Sequence, residues 1–151
     1  MANQLRRLEQ AEVAGKRVVV RVDWNVTLGK ALQVVDDTRI VRTLPTIKWL
    51  TANGVRQIVL LSHLGKAEEK RSLEPITRYA EGLVGERIEL KRTIAQCQGD
   101  TESRMMMLEN VRWWEGEDAN ETSFARELAS LGEVYVNEAF GECHRESASI
   151  V

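Results

Sequence analysis

Several classes of protein are excluded by what this chain has little of. Its 151 residues hold two cysteines, two prolines and 5% aromatic residues. Cys97 and Cys143 lack the spacing of a metal-binding pair, so reduced thiols in a cytoplasmic protein are the expectation. Neither sign of charge dominates: 21 Lys and Arg against 23 Asp and Glu leave a net charge of −2, with no general attraction to nucleic acid or a membrane surface. Unbroken apolar runs such as residues 58–61 fall far short of the ~20 residues that span a bilayer. Residues 1–12 contain no apolar signal region. Internal repeats, low-complexity tracts and linkers are absent. No G-x-G-x-x-G follows a candidate strand. Gly65-Lys66 is followed by Ala67 and has no glycine five residues before it, which rules out a P-loop. Nucleophile-elbow and zinc-ligand spacings are missing too.

What is present suits one globular domain: 43% hydrophobic and 29% charged residues in a chain long enough to bury its own core. Short apolar stretches at 17–22, 57–61, 87–90, 105–108 and 133–136 do not alternate with polar residues, the pattern of strands buried on both faces. Helical spacing lies between them. Ile40, Leu44, Ile47 and Leu50 share one face of a predicted helix, with Asp36 or Asp37 as its cap, Gly54 at its end and a kink or restart at Pro45. A second helix is predicted from near Ser72, with Pro75 in its first turns, and a third over residues 121–131, ending at Gly132. Residues 29–35 read as a small hairpin or loop. The alternation predicts an α/β domain built on a parallel sheet of five or six strands, with helices on both faces.

Ligands of open parallel sheets bind beyond the carboxyl ends of the strands. The residues just past the apolar stretches are Asp23 and Asn25, then His63, Gly65 and Lys66, then Glu109, Asn110 and Arg112, then Asn137, Glu138, Gly141, His144 and Arg145; Arg39 opens the first helix. One edge therefore gathers Arg39, His63, Lys66, Arg112 and Arg145 in a protein that is slightly acidic overall. That local excess of cations describes a site for a small, multiply charged anion, because the planar guanidinium fork matches phosphate and carboxylate. Asp23 and Asn25 are candidates to accept hydrogen bonds from ligand hydroxyls. Taken singly, each of these residues has an ordinary structural reading, and Trp113, Trp114 and Met105–Met107 read as packing residues. The argument rests on their convergence.

The same residues carry a resemblance. Arg21-Val22-Asp23-Trp24-Asn25-Val26, Asp36-Asp37-Thr38-Arg39-Ile40, Ser62-His63-Leu64-Gly65, Leu108-Glu109-Asn110-x-Arg112 and Val136-Asn137-x-Ala139-Phe140-Gly141 with His144-Arg145 occur in order and resemble motifs of the phosphoglycerate kinases. The resemblance implies a Rossmann-like α/β fold, the N-terminal domain of a two-domain kinase. It also implies phosphoryl transfer between 1,3-bisphosphoglycerate and ADP, giving 3-phosphoglycerate and ATP in glycolysis. By the same resemblance Arg21, Asp23, Asn25, Arg39, His63, Lys66, Arg112 and Arg145 contact the phosphoglycerate, and Arg39 is the catalytic residue that stabilises the phosphoryl group in flight. Mg-ATP or Mg-ADP is expected on a C-terminal nucleotide-binding domain that these residues do not include, with neither cofactor nor metal on this chain. Residues 1–151 are thus expected to be an incomplete kinase, inactive alone. The alternative is a non-catalytic sugar-phosphate-binding or regulatory module derived from that domain.

The chain departs from the family pattern close to the expected site. Lys66-Ala67 replaces Arg-Pro, keeping the charge but losing the fork. Thr27 replaces proline, and Glu142-Cys143 replaces small neutral residues. Glu146 is expected to bring negative charge near the anion.

Overall fold

The computed structural model describes residues 6–151; the first five positions of the signal-peptide reading lie outside the described residues. Five strands form a single parallel sheet: β1 (Arg17–Arg21), β2 (Gln57–Leu61), β3 (Glu89–Lys91), β4 (Met105–Leu108) and β5 (Val134–Asn137), in the order β3-β4-β2-β1-β5. The helices are α1 (Thr38–Ala52), α2 (Glu74–Val84), α3 (Ile94–Gly99), α4 (Glu115–Asp118) and α5 (Thr122–Ala129).

Alternate strand residues enter two separate cores. Val18, Val20, Ile58, Leu60, Met105 and Met107 pack with Ile40, Ile47 and Leu50 of α1 and Ile76 and Ala80 of α2. Val19, Val59, Leu61, Met106 and Leu108 face the other way, against Ile94 and Cys97 of α3 and Phe124 and Leu128 of α5. A period-2 chain sandwiched between two helical layers places both faces in apolar surroundings, which is why residues 18–20 of β1, 58–61 of β2 and 105–108 of β4 read as unbroken apolar runs. The outer strands differ. β3 is half-buried throughout and begins two residues later than its apolar pattern suggests, and β5 exposes Tyr135. Each has a strand neighbour on one side only.

Local features meet the expectation at the Asp36 cap and the hairpin and depart from it elsewhere. α1 runs unbroken through Pro45, with no restart. Its buried face uses Thr43 and leaves Leu44 half-exposed. Its first turn is held by Asp36, whose Oδ1 accepts from Thr38 N at 2.9 Å, while the Asp37 carboxylate accepts from the Tyr79 hydroxyl. The short helices α3 and α4 carry no clear apolar periodicity and were not expected. Residues 27–35 form a minimal hairpin, with one antiparallel bridge between Leu28 and Val34 and Leu32 in the left-handed region.

Thr43 explains its own burial. Trp24 is fully buried just beyond β1, and its indole N–H donates to Thr43 Oγ1 at 3.0 Å; the same hydroxyl donates to Ile40 O at 2.7 Å. A buried indole N–H without an acceptor costs about 1–3 kcal/mol. Thr43→Val keeps the shape and removes the acceptor, so it is expected to destabilise the domain by about that amount. Thr43→Ser is expected to retain most of the stability. Urea unfolding of the three chains makes the measurement; equal midpoints for Val and Ser would show that the indole bond contributes nothing.

Candidate functional site

The parallel register puts the carboxyl ends of β1, β2, β4 and β5 along one edge, and the loops leaving them meet there. At the centre is His63, two residues past β2 and fully buried. Its Nδ1 lies 3.1 Å from Arg21 Nη2. A guanidinium only donates, so Nδ1 must accept, and the neutral ring then carries its proton on Nε2. Burial, and then the positive charge of Arg21, Arg112, Arg145 and Arg39, pulls the His63 pKa from 6.5 to about 2, so the ring is neutral at any ordinary pH. Nε2 is buried and has no hydrogen-bond partner among the described residues. It is an N–H donor held open, of the kind that costs stability unless something is brought to it.

Two carboxylates stand in front of that donor. Asp23, Glu142 and His63 each offer a side-chain atom within 4.8 Å of the others. Asp23 takes Arg39 Nη1 on both oxygens, at 2.9 and 2.8 Å. Glu142 lies 3.8 Å from His63 Nε2 with one oxygen, and 3.5 Å from both Arg112 Nη2 and Arg145 Nε with the other. Asp23, Arg39, His63, Arg112 and Arg145 are thereby brought into one cluster. Asp23, His63 and Glu142 have the composition of a cation site, but the chemistry opposes it. Nε2 carries a proton rather than a free lone pair, and four arginines surround it.

Of the remaining residues, Arg21 is the one the structure turns away from the open edge. It is 2% exposed, and its guanidinium is consumed internally: Nε donates to Ser149 Oγ at 2.7 Å, Nη1 to Val22 O at 2.6 Å and Nη2 to His63. Behind it Glu117 accepts from the amide and hydroxyl of Ser149 and lies 3.9 Å from Arg21. Burial pushes the Glu117 carboxyl up and the Arg21 guanidinium down, each against the attraction of the other. Asn25 Oδ1 accepts from Gly65 N at 3.0 Å, which uses one of its two lone pairs. Gly65 has φ +64°, a left-handed conformation suited to glycine, and its carbonyl accepts from Arg112 Nη1 at 2.7 Å. Lys66 is exposed at the rim and forms no ion pair among the described residues.

Several residues from the strand ends serve the scaffold. Glu109 and Asn110 are fully buried; Glu109 accepts from Ser72 and Leu73, and Asn110 donates to Leu64 O and Arg71 O. Trp113 donates to Arg71 O, and Trp114 stacks on Phe124 with centroids 5.8 Å apart. His144 and Glu146 are exposed, and Glu146 forms no ion pair among the described residues. The carboxylates within the arginine cluster are those of Asp23 and Glu142. The expected excess of cations is correspondingly smaller: His63 is neutral, and each arginine of the cluster has a carboxylate partner.

The depressed His63 pKa gives stability a definite pH dependence. A ring that stays neutral when folded and titrates at its ordinary 6.5 when unfolded contributes stability that is present above pH 6.5. That stability is lost as pH falls below 6.5, by about 1.4 kcal/mol per pH unit. Glu117 contributes with the opposite sign. Comparing urea unfolding of the native chain with His63→Gln from pH 7 to pH 5 isolates the histidine, because Glu117 is common to both. The native chain is expected to lose stability relative to the variant as pH falls; parallel curves would mean that His63 is protonated in the fold.

Comparisons with known proteins bear on the same edge of the sheet. A family model described as phosphoglycerate kinase matches residues 8–151. A phosphoglycerate kinase of Helicobacter pylori is 40% identical over 152 residues, a match covering 96% of this chain and 38% of that protein. The solved phosphoglycerate kinase of Coxiella burnetii superimposes with a TM-score of 0.83 at 32% identity, over 94% of this chain and 37% of that one. That of Pyrococcus horikoshii superimposes with a TM-score of 0.85 at 25% identity, over 97% of this chain and 40% of the other. The chain thus spans well under half the length of the relatives it matches.

Proposed function

The chain belongs to the phosphoglycerate kinase family, and we propose that residues 1–151 form the phosphoglycerate-binding part of such a kinase, which moves a phosphoryl group between 1,3-bisphosphoglycerate and ADP. The observation that carries this reading is the buried Nε2–H of His63, a donor without an acceptor in the middle of an arginine cluster. An anionic oxygen placed there would satisfy the donor and meet Arg112 and Arg145 together.

Roles follow from the bonds each residue has left to make. His63, Arg112 and Arg145 hold the phosphate or carboxylate oxygens. Arg21 acts through His63: by donating to Nδ1 it keeps the proton on Nε2, so it is a positioning residue rather than a ligand contact. Asn25, with its oxygen on Gly65, offers its amide N–H groups to the ligand. Asp23 has acceptor capacity beyond its bonds to Arg39 and can take a glycerate hydroxyl. Arg39 spends one nitrogen on Asp23 and is half-exposed, leaving Nη2 and Nε for the transferring phosphoryl group. Its role suits a reaction whose transition state spreads charge over equatorial oxygens and is catalysed mainly by positioning and electrostatics. Lys66 adds charge at the rim. Mg-ADP or Mg-ATP supplies the other half of the reaction, and we assign its binding to a part of the kinase outside these residues. The chain alone is then inactive in turnover, in the cytoplasmic setting of glycolysis. A second reading, a sugar-phosphate-binding module without catalysis, draws support from Glu142, whose carboxylate stands among the cations a substrate would use.

Titration calorimetry of the chain with 3-phosphoglycerate tests the proposal. Weak binding that falls further at high salt is expected, as for an ion-paired ligand. Arg145→Ala is expected to lower affinity about tenfold or more, within the range for charged hydrogen bonds. Arg39→Ala is expected to leave affinity nearly unchanged, because its bond forms in the transition state. Salt-insensitive binding would remove the anion site, and loss of binding in Arg39→Ala would make Arg39 a ground-state ligand.

A further inference from the structure

Glu142 is the feature that the proposed function does not absorb. It ends a single 3-10 turn, Phe140–Glu142, whose backbone is fixed locally: Glu142 N donates to Ala139 O and Arg145 N donates to Glu142 O, both at 2.9 Å. The turn lies close to Asp23, with space for only an ordinary contact between a Cβ at Gly141 and Asp23 Oδ2 at 3.6 Å. The Glu142 side chain is 15% exposed and turns inward, away from open solvent. It does so although Asp23 already presents a carboxylate within 4.8 Å. Two carboxylates that close repel each other, so the inward position is sustained by the cations beside it, Arg112 and Arg145.

The contacts it makes are loose. Its oxygens stand 3.5 Å from Arg112 Nη2 and from Arg145 Nε, and 3.8 Å from His63 Nε2. A close charge-assisted hydrogen bond measures about 2.7–2.9 Å. Glu142 therefore neutralises the arginines without satisfying the buried donor, which remains unpartnered. A carboxylate tethered to the backbone has two oxygens to divide among three donors, whereas a free phosphate has more oxygens and can move to optimal distance.

We infer that Glu142 is an intramolecular occupant of the anion site, a built-in carboxylate that an incoming phosphate-bearing ligand must displace before it can reach His63, Arg112 and Arg145. This rests on the anion-site reading given above. It predicts that affinity is limited by competition with the chain's own side chain rather than by a lack of cations. It also predicts selectivity: a ligand with one negative charge gains little over Glu142, whereas a doubly charged phosphate gains both charge and oxygens.

The test uses the full chain with Glu142→Gln and Glu142→Ala, and Glu146→Gln as the control that removes one exposed negative charge without touching the cluster. Calorimetry with 3-phosphoglycerate and thermal melting with inorganic sulfate are the readouts. Glu142→Gln is expected to bind 3-phosphoglycerate about tenfold tighter or more. Glu146→Gln is expected to stay within about twofold of the native chain, as for a surface substitution. Sulfate is expected to raise the melting temperature of Glu142→Ala more than that of the native chain, which also reads the effect if the Gln variant does not fold. Native, Glu142→Gln and Glu146→Gln chains of equal affinity, or equal tightening in both variants, would overturn the competition while leaving the anion site in place. No binding of either anion by any chain would overturn the anion-site reading itself, and the inference with it.

Discussion

A guanidinium buried at the end of a central strand must have its donors satisfied from within, and the region around Arg21 is arranged by that requirement. Its three nitrogens reach Ser149, Val22 and His63, which ties β1 to residues far along the chain and to the loop after β2. Removing one partner from such a cluster leaves a desolvated charge, the costly outcome for buried ion pairs. The same geometry dictates the protonation of His63, because a donor-only group on Nδ1 leaves one place for the ring proton. The chemical character of the open edge is thus set one layer below the surface.

In front of that layer the charges are close to balanced. Asp23 faces Arg39, and Glu142 faces Arg112 and Arg145. A site of this kind lacks the strong positive field of a bare arginine cluster. On the anion-site proposal, specificity rests on how donors are aimed and on which internal pairs a ligand replaces, more than on net charge. Glu142 sets much of this balance, because one carboxylate stands beside two arginines.

The sequence revealed most of the sheet because its middle is symmetrical in burial. β1, β2 and β4 have helices on both faces, so residues 18–20, 58–61 and 105–108 are apolar at every position and the runs are unmistakable. β3 was mis-bounded because an edge strand of three half-buried residues has little reason to be apolar. α3 spans six residues, too short for a helical period to show. Thr43 was invisible as a core residue because its burial depends on an indole from another element. The motifs point to residues that do meet at one edge, Asp23, Arg39, His63, Arg112 and Arg145, but not to the orientation of their side chains. Arg21 is claimed by Ser149, 128 positions away, and no local pattern encodes that. Glu142 and Glu146 are the same residue type four positions apart; a 3-10 turn decides which of them faces the arginines.

The clasp around Gly65 fixes which flank of Arg112 is left open. Arg112 gives Nη1 to the Gly65 carbonyl, and the amide of the same glycine is held by Asn25. The end-on pair of Nη1 and Nη2 is therefore divided between the protein and the open edge. What remains for an oxyanion is the side-on pair, Nε and Nη2, the flank already turned toward Asp118 and Glu142. A backbone carbonyl in a surface turn thus acts as a stop for a distant side chain, fixing the plane of the guanidinium and leaving one flank of it turned outward.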